Sequence, residues 1–278
     1  MDIRIGTNSY GYSVRASQKS NSAAKASFAD LMKTKQADAI GSRDSVTISQ
    51  KPLEQRLESV HQKIAEMDFT GKSNEEIYKS INDAYETEFG YLGIMFYTDR
   101  DTCTEIREDA ERMFEDKIPN YIGMDEKALY YRAMGYDQMT DAEKVAAIKE
   151  RVGGNTYVHK LAMNNELRKA GVITRDEQDA IFSSLVYQAE QEYCAKYGLD
   201  YMDWKYNAGS KENAEYRLQK VMGWMAETEI EWLDVLESVK DFPAMEDWQK
   251  EDFYEGFSGK ASLLLGKEDY ETYKNIEV

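Results

Sequence analysis

The stretch PLEQRLESVHQKIAEM, residues 52–67, decides the fold class of this sequence. Its apolar positions are spaced by four, three, four and three residues: Leu53, Leu57, Val60, Ile64 and Met67. This spacing places them on one stripe of a helix. Pro52 suits a first helical turn because its missing N–H would have no partner there. The stretch therefore predicts an amphipathic helix that packs against other helices.

The same helical pattern continues towards the C-terminus. Capping-box spacing occurs at Ser73–Glu76, Thr140–Glu143 and Thr174–Glu177, and each box predicts the start of a helix. The apolar stripes predict helices over about 74–92, 103–114, 125–134, 140–153, 155–170, 174–198 and 211–239, and two short helices after Pro243. Residues 201–210 are predicted to form an aromatic loop, and Ile94–Tyr97 is a weak strand candidate. The predicted fold is all-α, an irregular multi-helix bundle or array with a flexible N-terminal arm.

The first fifty residues differ from the rest in charge and composition. They carry a formal charge of +3 and nine serines, which leaves −20 for residues 51–278 out of a total of −17. Such a polar segment buries too little apolar surface to offset the entropy lost on ordering. We therefore expect a flexible arm over 1–50 and an acidic helical domain over 51–278. The sequence also allows this domain to be divided in two near residues 198–210. Two apolar clusters in the arm, residues 26–32 and 45–49, either dock on a partner, pack on the domain or stay mobile.

No motif in the sequence predicts an enzyme, a metal site or a cofactor site. The chain has two His and two Cys, with neither the spacing of a zinc site nor enough cysteines for a disulfide scaffold. Asp99-Arg-Asp101 begins like a calcium loop, but Thr104 replaces the glycine that the loop needs. Cys103 and Cys194 lie on apolar faces and are predicted to be buried free thiols. Glu86 and Glu88 flank Thr87, point apart, and are predicted to lie on a solvated helix face.

The net charge limits the classes of partner. A charge of −17 repels phosphate backbones and anionic lipids, so we expect a protein partner with a basic surface and no direct nucleic-acid or membrane binding. The sequence has no apolar run of ~20 residues and no signal-peptide core of ~7 to 15 apolar residues near its start. It therefore predicts a soluble protein, cytoplasmic or exported without a classical signal peptide.

Two short elements in the arm carry a resemblance. Ser27-Phe-Ala-Asp-Leu-Met32 and Asp44-Ser-Val-Thr-Ile-Ser49 are similar to elements in the N-terminal arms of uncharacterised helical proteins from gut clostridia. The second element also resembles a stretch in flagellar regulatory and export-linked proteins. The resemblance covers about twenty-five residues and implies a link to flagellar or type III-like export, without implying an active site.

The function predicted from these features is a non-enzymatic helical protein that binds another protein. Candidate binding residues are the apolar residues of the arm and the aromatic residues after Gly198: Phe28, Leu31, Val46, Ile48, Tyr201, Trp204 and Tyr206. The alternative is an acidic decoy or inhibitor, for example phage-encoded, that occupies a basic nucleic-acid-binding groove of a partner. A decoy needs carboxylates concentrated on one face, whereas the helical stripes predict acids spread over faces opposite the core: Glu54, Glu58, Glu75, Glu76, Glu105, Glu108 and Glu111.

Overall fold

The computed structural model describes residues 52–91, 100–207 and 211–276. Helices dominate these ranges, and no strand occurs within them, so the all-α fold class is confirmed. The predicted arm, its four candidate binding residues and the strand candidate Ile94–Tyr97 lie outside the described residues. The α-helices of the described ranges are α1 (Leu53–Ala65), α2 (Asn74–Phe89), α3 (Arg100–Lys117), α4 (Glu126–Ala133), α5 (Asp141–Val152), α6 (Tyr157–Lys169), α7 (Arg175–Tyr197), α8 (Lys211–Glu227), α9 (Trp232–Asp241), α10 (Asp247–Leu264) and α11 (Lys267–Tyr273).

The three predicted capping boxes form as expected. Ser73, Thr140 and Thr174 each accept a hydrogen bond from the backbone N–H of the glutamate three residues later, and that glutamate accepts one in return. These bonds satisfy backbone donors that a helix start otherwise leaves without partners. The boxes open α2, α5 and α7 within one residue of the predicted positions.

The prediction of one helix over 211–239 is wrong. The chain leaves the helical path between α8 and α9, where Thr228 to Glu231 turn away. The backbone N–H of Ile230 donates to the carbonyl of Asn155 at 2.8 Å, and the N–H of Tyr157 donates to the carbonyl of Thr228 at 3.0 Å. A tertiary contact with the start of α6 therefore replaces the helical hydrogen bonds, and the local sequence carries no Gly or Pro to announce it.

Two further expectations near the C-terminal half need correction. Residues 201–207 form a helical turn, with a π-helical segment at Asp203–Asn207, and not a loop. The stretch after Pro243 holds one long helix, α10 of 18 residues, and one short helix, α11, instead of two short ones. In α10 an unbroken stripe extends the helix: Phe253, Phe257, Ala261 and Leu264 are all buried.

The helices share a continuous apolar core. In the N-terminal group, α2 packs against α1, α3 and α4. In the C-terminal group, α7 packs against α6, α8 and α9, and α9 packs against α10 and α11. Helices α7 and α8, on either side of residues 198–210, pack on each other and both contact α6. Cys103 and Cys194 are buried, as predicted, and neither is part of a disulfide.

A buried carboxylate connects the two helix groups. Glu166 of α6 is fully buried and accepts hydrogen bonds from the hydroxyls of Tyr91 at 2.6 Å and Tyr136 at 2.7 Å, and also from that of Tyr130. Arg151 of α5 donates to Glu166 at 3.0 Å. The same guanidinium forms a bidentate pair with Glu86 of α2. The network thus ties α2 and α4 to α5 and α6.

This network and its neighbours correct the expectation for Glu86 and Glu88. Their side chains are only 16% and 14% exposed, so they do not lie on a solvated face. Glu88 pairs with Arg56 of α1 at 3.4 Å. Both carboxylates are used to join helices. Periodicity alone could not show this, because it does not reveal which polar positions face a second helix.

Among the described residues, no helix combines the length and the apolar character needed to cross a bilayer.

Candidate interaction surface

Large exposed apolar side chains concentrate at one end of α7. Seven such side chains occur among the described residues, and four of them lie within ten positions: Tyr197 (54% exposed), Leu199 (41%), Met202 (59%) and Tyr206 (66%). The other three, Ile122, Phe182 and Trp248, are separated along the chain. We call the group Tyr197, Leu199, Met202 and Tyr206 the α7 end surface.

The end of α7 explains why the first two of these side chains are exposed. Gly198 ends the helix with φ of +65°, in the left-handed region that glycine adopts without strain. The N–H of Leu199 then donates to the carbonyl of Cys194 at 2.8 Å, which reverses the chain direction. Tyr197 and Leu199 therefore lie on either side of a sharp turn, where neighbouring helices do not cover them.

The helical turn over 201–207 separates an inward face from an outward face. Its start is fixed by Asp200, whose carboxylate accepts from the N–H of Asp203 at 2.8 Å. Met202 and Tyr206 are four residues apart, so they share the outward face. Tyr201, Trp204 and Lys205 share the opposite face and are half-buried.

Glu190 of α7 anchors the inward face. Its carboxylate forms an ion pair with Lys205 and accepts from the Tyr201 hydroxyl at 3.3 Å. Burial by itself would lower the pKa of Lys205, but the hydrogen bond with Glu190 raises it above the ordinary lysine value. Lys205 is therefore charged at neutral pH, and the segment is held on α7 by a partly buried pair.

Trp204 forms a second anchor. Its ring lies 5.8 Å from the ring of Tyr193, and the guanidinium of Arg217 lies 5.8 Å from the same indole. Arg217 also donates to the Trp204 carbonyl at 2.6 Å. The segment is thus fixed to α7 and α8 through side chains, while its outward residues stay uncovered.

The structure gives different positions to the three aromatic residues predicted as binding residues. Tyr206 is exposed, whereas Tyr201 and Trp204 are half-buried and hold the segment in place. Phe28, Leu31, Val46 and Ile48 lie outside the described residues. Sequence reasoning missed Tyr197, Leu199 and Met202. Gly198 directly after a long helix was the available signal, because it marks the helix end at which the buried stripe of α7 stops.

A groove lies between α7 and α9 and encloses about 290 Å³. Its walls are formed by three residues of α7 and four of α9: Tyr187, Gln188, Gln191, Asp234, Glu237, Ser238 and Asp241. The ring of Tyr187 meets that of Tyr201 edge to face, with ring centres 5.6 Å apart. The groove and the turn over 201–207 are therefore neighbours.

The interior contains a second polar cluster, centred on Asp109 of α3. This buried carboxylate accepts from the Tyr85 hydroxyl at 2.6 Å and from Arg112 at 3.0 Å, and lies 2.7 Å from Nε2 of His61. Burial would raise the pKa of Asp109, but these three partners lower it below the ordinary aspartate value. All partners come from α1, α2 and α3, so the cluster joins these helices. No group of three or more His, Cys, Asp or Glu side chains suited to a metal occurs within the described part of the chain.

Comparison with protein-family models, with curated proteins and with solved structures gave no significant match.

Proposed function

We propose that this protein is a non-enzymatic interaction protein that binds a protein partner through the α7 end surface. The observation that carries the proposal is the concentration of Tyr197, Leu199, Met202 and Tyr206 within ten residues, each more than two-fifths exposed. Apolar surface of this kind costs free energy in water and marks interaction sites when it is contiguous. Tyrosine and methionine are also enriched at protein interfaces.

The rigid support of this surface favours binding. Tyr201, Trp204 and Lys205 are held by Glu190, Tyr193 and Arg217 before any partner arrives. A partner that binds Met202 and Tyr206 therefore does not have to order the segment first, which lowers the entropic cost of association.

The acidic-decoy alternative has less support. Six of the seven glutamates expected to face solvent are exposed, and they are distributed over α1, α2 and α3; Glu75, the seventh, is half-buried and pairs with Arg132. Other acids are engaged between elements: Glu86, Glu88, Glu166, Glu177 and Glu190 each pair with a basic side chain. This arrangement favours a soluble bundle with a local binding surface over a continuous acidic face.

The proposal is tested by crosslinking. The full chain carries the photoreactive residue p-benzoylphenylalanine in place of Tyr206 and is irradiated in lysate of the source cells. We expect one protein to be crosslinked at Tyr206, and the same protein to be absent when the photoreactive residue replaces Trp248, which is exposed elsewhere.

A substitution experiment then measures affinity for the crosslinked partner. We expect Met202→Ser with Tyr206→Ser to weaken binding at least tenfold, since buried aromatic anchors supply much of the free energy of an interface. The matched control is Ile122→Ser with Trp248→Ser, which removes two apolar side chains that are exposed elsewhere. Equal binding by both double variants would refute the α7 end surface as the binding site.

A further inference from the structure

Lys160 of α6 is a buried lysine without a counter-ion. Only 4% of its surface is exposed, and its ammonium forms neither a hydrogen bond nor an ion pair with the described residues. The nitrogen is not sealed from solvent, so a small ligand can reach it. A buried charge is unfavourable unless it is paired and hydrogen-bonded, so Lys160 lacks the partner that its position demands.

Lys144 shows how the same fold treats a buried lysine that has a partner. Its surface is 7% exposed, and its ammonium lies 3.1 Å from the carboxylate of Asp141. Burial would lower the pKa of Lys144, but the hydrogen bond with Asp141 raises it above the ordinary lysine value. Burial lowers the pKa of Lys160, and no hydrogen bond opposes the change. The ammonium form of Lys160 is therefore destabilised where it lies.

The ring of Trp232 compensates only part of this cost. The ammonium nitrogen of Lys160 lies 5.6 Å from the centre of that ring. A cation is attracted to the face of an indole, but the ring offers no oxygen to accept the three N–H groups of a lysine. The contact with Trp232 thus leaves the hydrogen-bonding need of Lys160 unmet.

A second ammonium lies on the exposed side of Lys160. Lys149 of α5 is exposed, and it donates to the carbonyls of Leu263 at 3.2 Å and Leu264 at 2.9 Å, at the end of α10. Two of its three N–H donors are used there, and no carboxylate of the described residues pairs with it. Lys149 is close enough to Lys160 to lower the pKa of Lys160 further.

Glu231 is the acid that acts on this pair of lysines. It opposes the fall in the pKa of Lys160, but it forms no ion pair with either lysine. Its side chain instead accepts from a backbone N–H at the start of α9. Two ammonium groups and one carboxylate leave a local charge of +1, in a chain whose net charge is −17.

This charge balance limits the kind of ligand. One negative charge completes it, whereas a phosphate dianion would overcompensate it beside Glu231. A carboxylate carries a single charge on two oxygens, so it can accept from two ammonium groups at once.

We propose that Lys160 and Lys149 form a binding site for a ligand with a single carboxylate. The ligand enters beside Lys149, and its carboxylate supplies the acceptor that Lys160 lacks. This site goes beyond the proposed function, since it uses no residue of the α7 end surface.

The first test observes Lys160 directly in the full chain. Lysine labelled with ¹³C at the ε carbon gives an NMR signal for each lysine, and the Lys160 signal is identified by its absence in Lys160→Met. Sodium acetate replaces sodium chloride stepwise at constant ionic strength. We expect a saturable shift of the Lys160 signal and a rise in its pKa, because a bound anion stabilises the ammonium form. A signal that does not shift, or that shifts without saturation, overturns the inference.

The same titration tests the role of Lys149. We expect Lys149→Met to weaken acetate binding at Lys160 at least tenfold, since one of the two ammonium groups is removed. Lys127→Met, which removes an exposed lysine of α4, is the control and should change the affinity less than twofold. Equal affinities of the Lys149 variant and the unchanged chain would show that the two lysines do not form one site, against the inference.

A second measurement separates binding from a general effect of salt. A ligand that binds only the folded state raises the melting temperature, here by about 3 °C or more at roughly ten times its Kd. We expect this difference between acetate and chloride in the unchanged chain and in Lys144→Met, and its loss in Lys160→Met. In chloride, Lys160→Met should melt no lower than the unchanged chain, because it removes an uncompensated buried charge. An equal effect of acetate on Lys160→Met would overturn the inference.

The last comparison distinguishes a free acid from an acidic side chain of a protein. Acetate is compared with N-acetylglutamic acid amide, which presents a carboxylate as a protein does. Tighter binding of acetate supports a site for a small free acid, and tighter binding of the capped glutamate supports a site for a protein carboxylate. Failure of both probes to saturate the Lys160 signal overturns the inference.

Discussion

At the scale of single residues, Glu166 has a dense set of polar partners among the described side chains. Three tyrosine hydroxyls and Arg151 fill the hydrogen-bonding capacity of its carboxylate. Burial of a charge is costly, and only such a complete set of donors offsets the cost. A fully buried glutamate in an aromatic surrounding invites a catalytic interpretation. Its satisfied geometry instead indicates a structural role.

We expect Glu166→Gln to lower the free energy of unfolding by about 3 kcal/mol, because an amide cannot compensate the charges of Arg151 and Lys169 and replaces one of the two acceptor oxygens by a donor. Urea unfolding followed by circular dichroism measures the change. Glu150→Gln, on the exposed face of α5, is the control and should change stability by less than about 0.5 kcal/mol. A loss below about 1 kcal/mol in the Glu166 variant would contradict a structural role.

The pH dependence of stability follows from the same residue. Burial would raise the pKa of Glu166, but Lys169, Arg151 and the tyrosine hydroxyls lower it below the ordinary glutamate value. The folded state thus binds this proton less readily than the unfolded chain does. The stabilisation is complete above the unfolded pKa of about 4.3 and is lost as pH falls through the folded pKa.

The stability difference between the unchanged chain and Glu166→Gln should therefore shrink on acidification. We expect it to be constant from pH 7 to about pH 5 and to decrease below that. Urea midpoints measured at a series of pH values test this directly. A difference that grows as pH falls would show that the folded pKa is raised instead.

At the scale of elements, the end of α7 and the turn over 201–207 form one unit held by Glu190. We expect Glu190→Gln to increase amide hydrogen exchange across 200–207, because it weakens the pair with Lys205 and the contact with Tyr201. Exchange in the centre of α7, near Leu185, should not change.

Asp179→Asn provides the matched control for this experiment. It removes a carboxylate that pairs with Arg175 on the exposed side of the same helix. Exposed pairs of this type contribute little, so exchange across 200–207 should stay as in the unchanged chain. Unchanged exchange in the Glu190 variant as well would show that Trp204 alone fixes the segment.

Element boundaries also show what the sequence could predict. Helix starts at Ser73, Thr140 and Thr174 were predictable because a capping box is a local interaction between residues three apart. The break between α8 and α9 was not, because it depends on hydrogen bonds to Asn155 and Tyr157, more than seventy residues earlier. Interactions between residues close in the chain can be predicted from the sequence, whereas hydrogen bonds between distant segments depend on how the chain folds.

The same reasoning applies to the candidate surface. Aromatic composition pointed to Tyr201, Trp204 and Tyr206, yet periodicity could not say which of them faces α7. The π-helical turn at Asp203–Asn207 determines that Tyr206 faces outward and Trp204 inward. The acidic groove was hidden for a similar reason, since Gln188 and Glu237 are brought together only when α7 packs on α9.

At the scale of the whole molecule, the described helices share one apolar core, and a polar network also connects the N-terminal group to the C-terminal group. The connection is the guanidinium of Arg151, which binds Glu86 of α2 and Glu166 of α6 at the same time. Hydrophobic contacts stabilise each group and also join the two, but they have no direction. We therefore expect the charged network to fix the groups in one arrangement, because guanidinium and carboxylate must meet in a defined plane.

Arg151→Met tests this role, since methionine keeps much of the apolar stem while it removes the charge. Glu86 and Glu166 then lose their shared partner, and we expect a loss of about 3 kcal/mol in stability. We further expect unfolding to lose its cooperativity, with one helix group melting before the other. Hydrogen exchange in urea distinguishes the groups, with Ile81 reporting α2 and Leu185 reporting α7. The control is Arg175→Met, which breaks only an exposed pair and should leave a single unfolding transition. A single unfolding transition in the Arg151 variant as well would show that apolar packing alone couples the two helix groups.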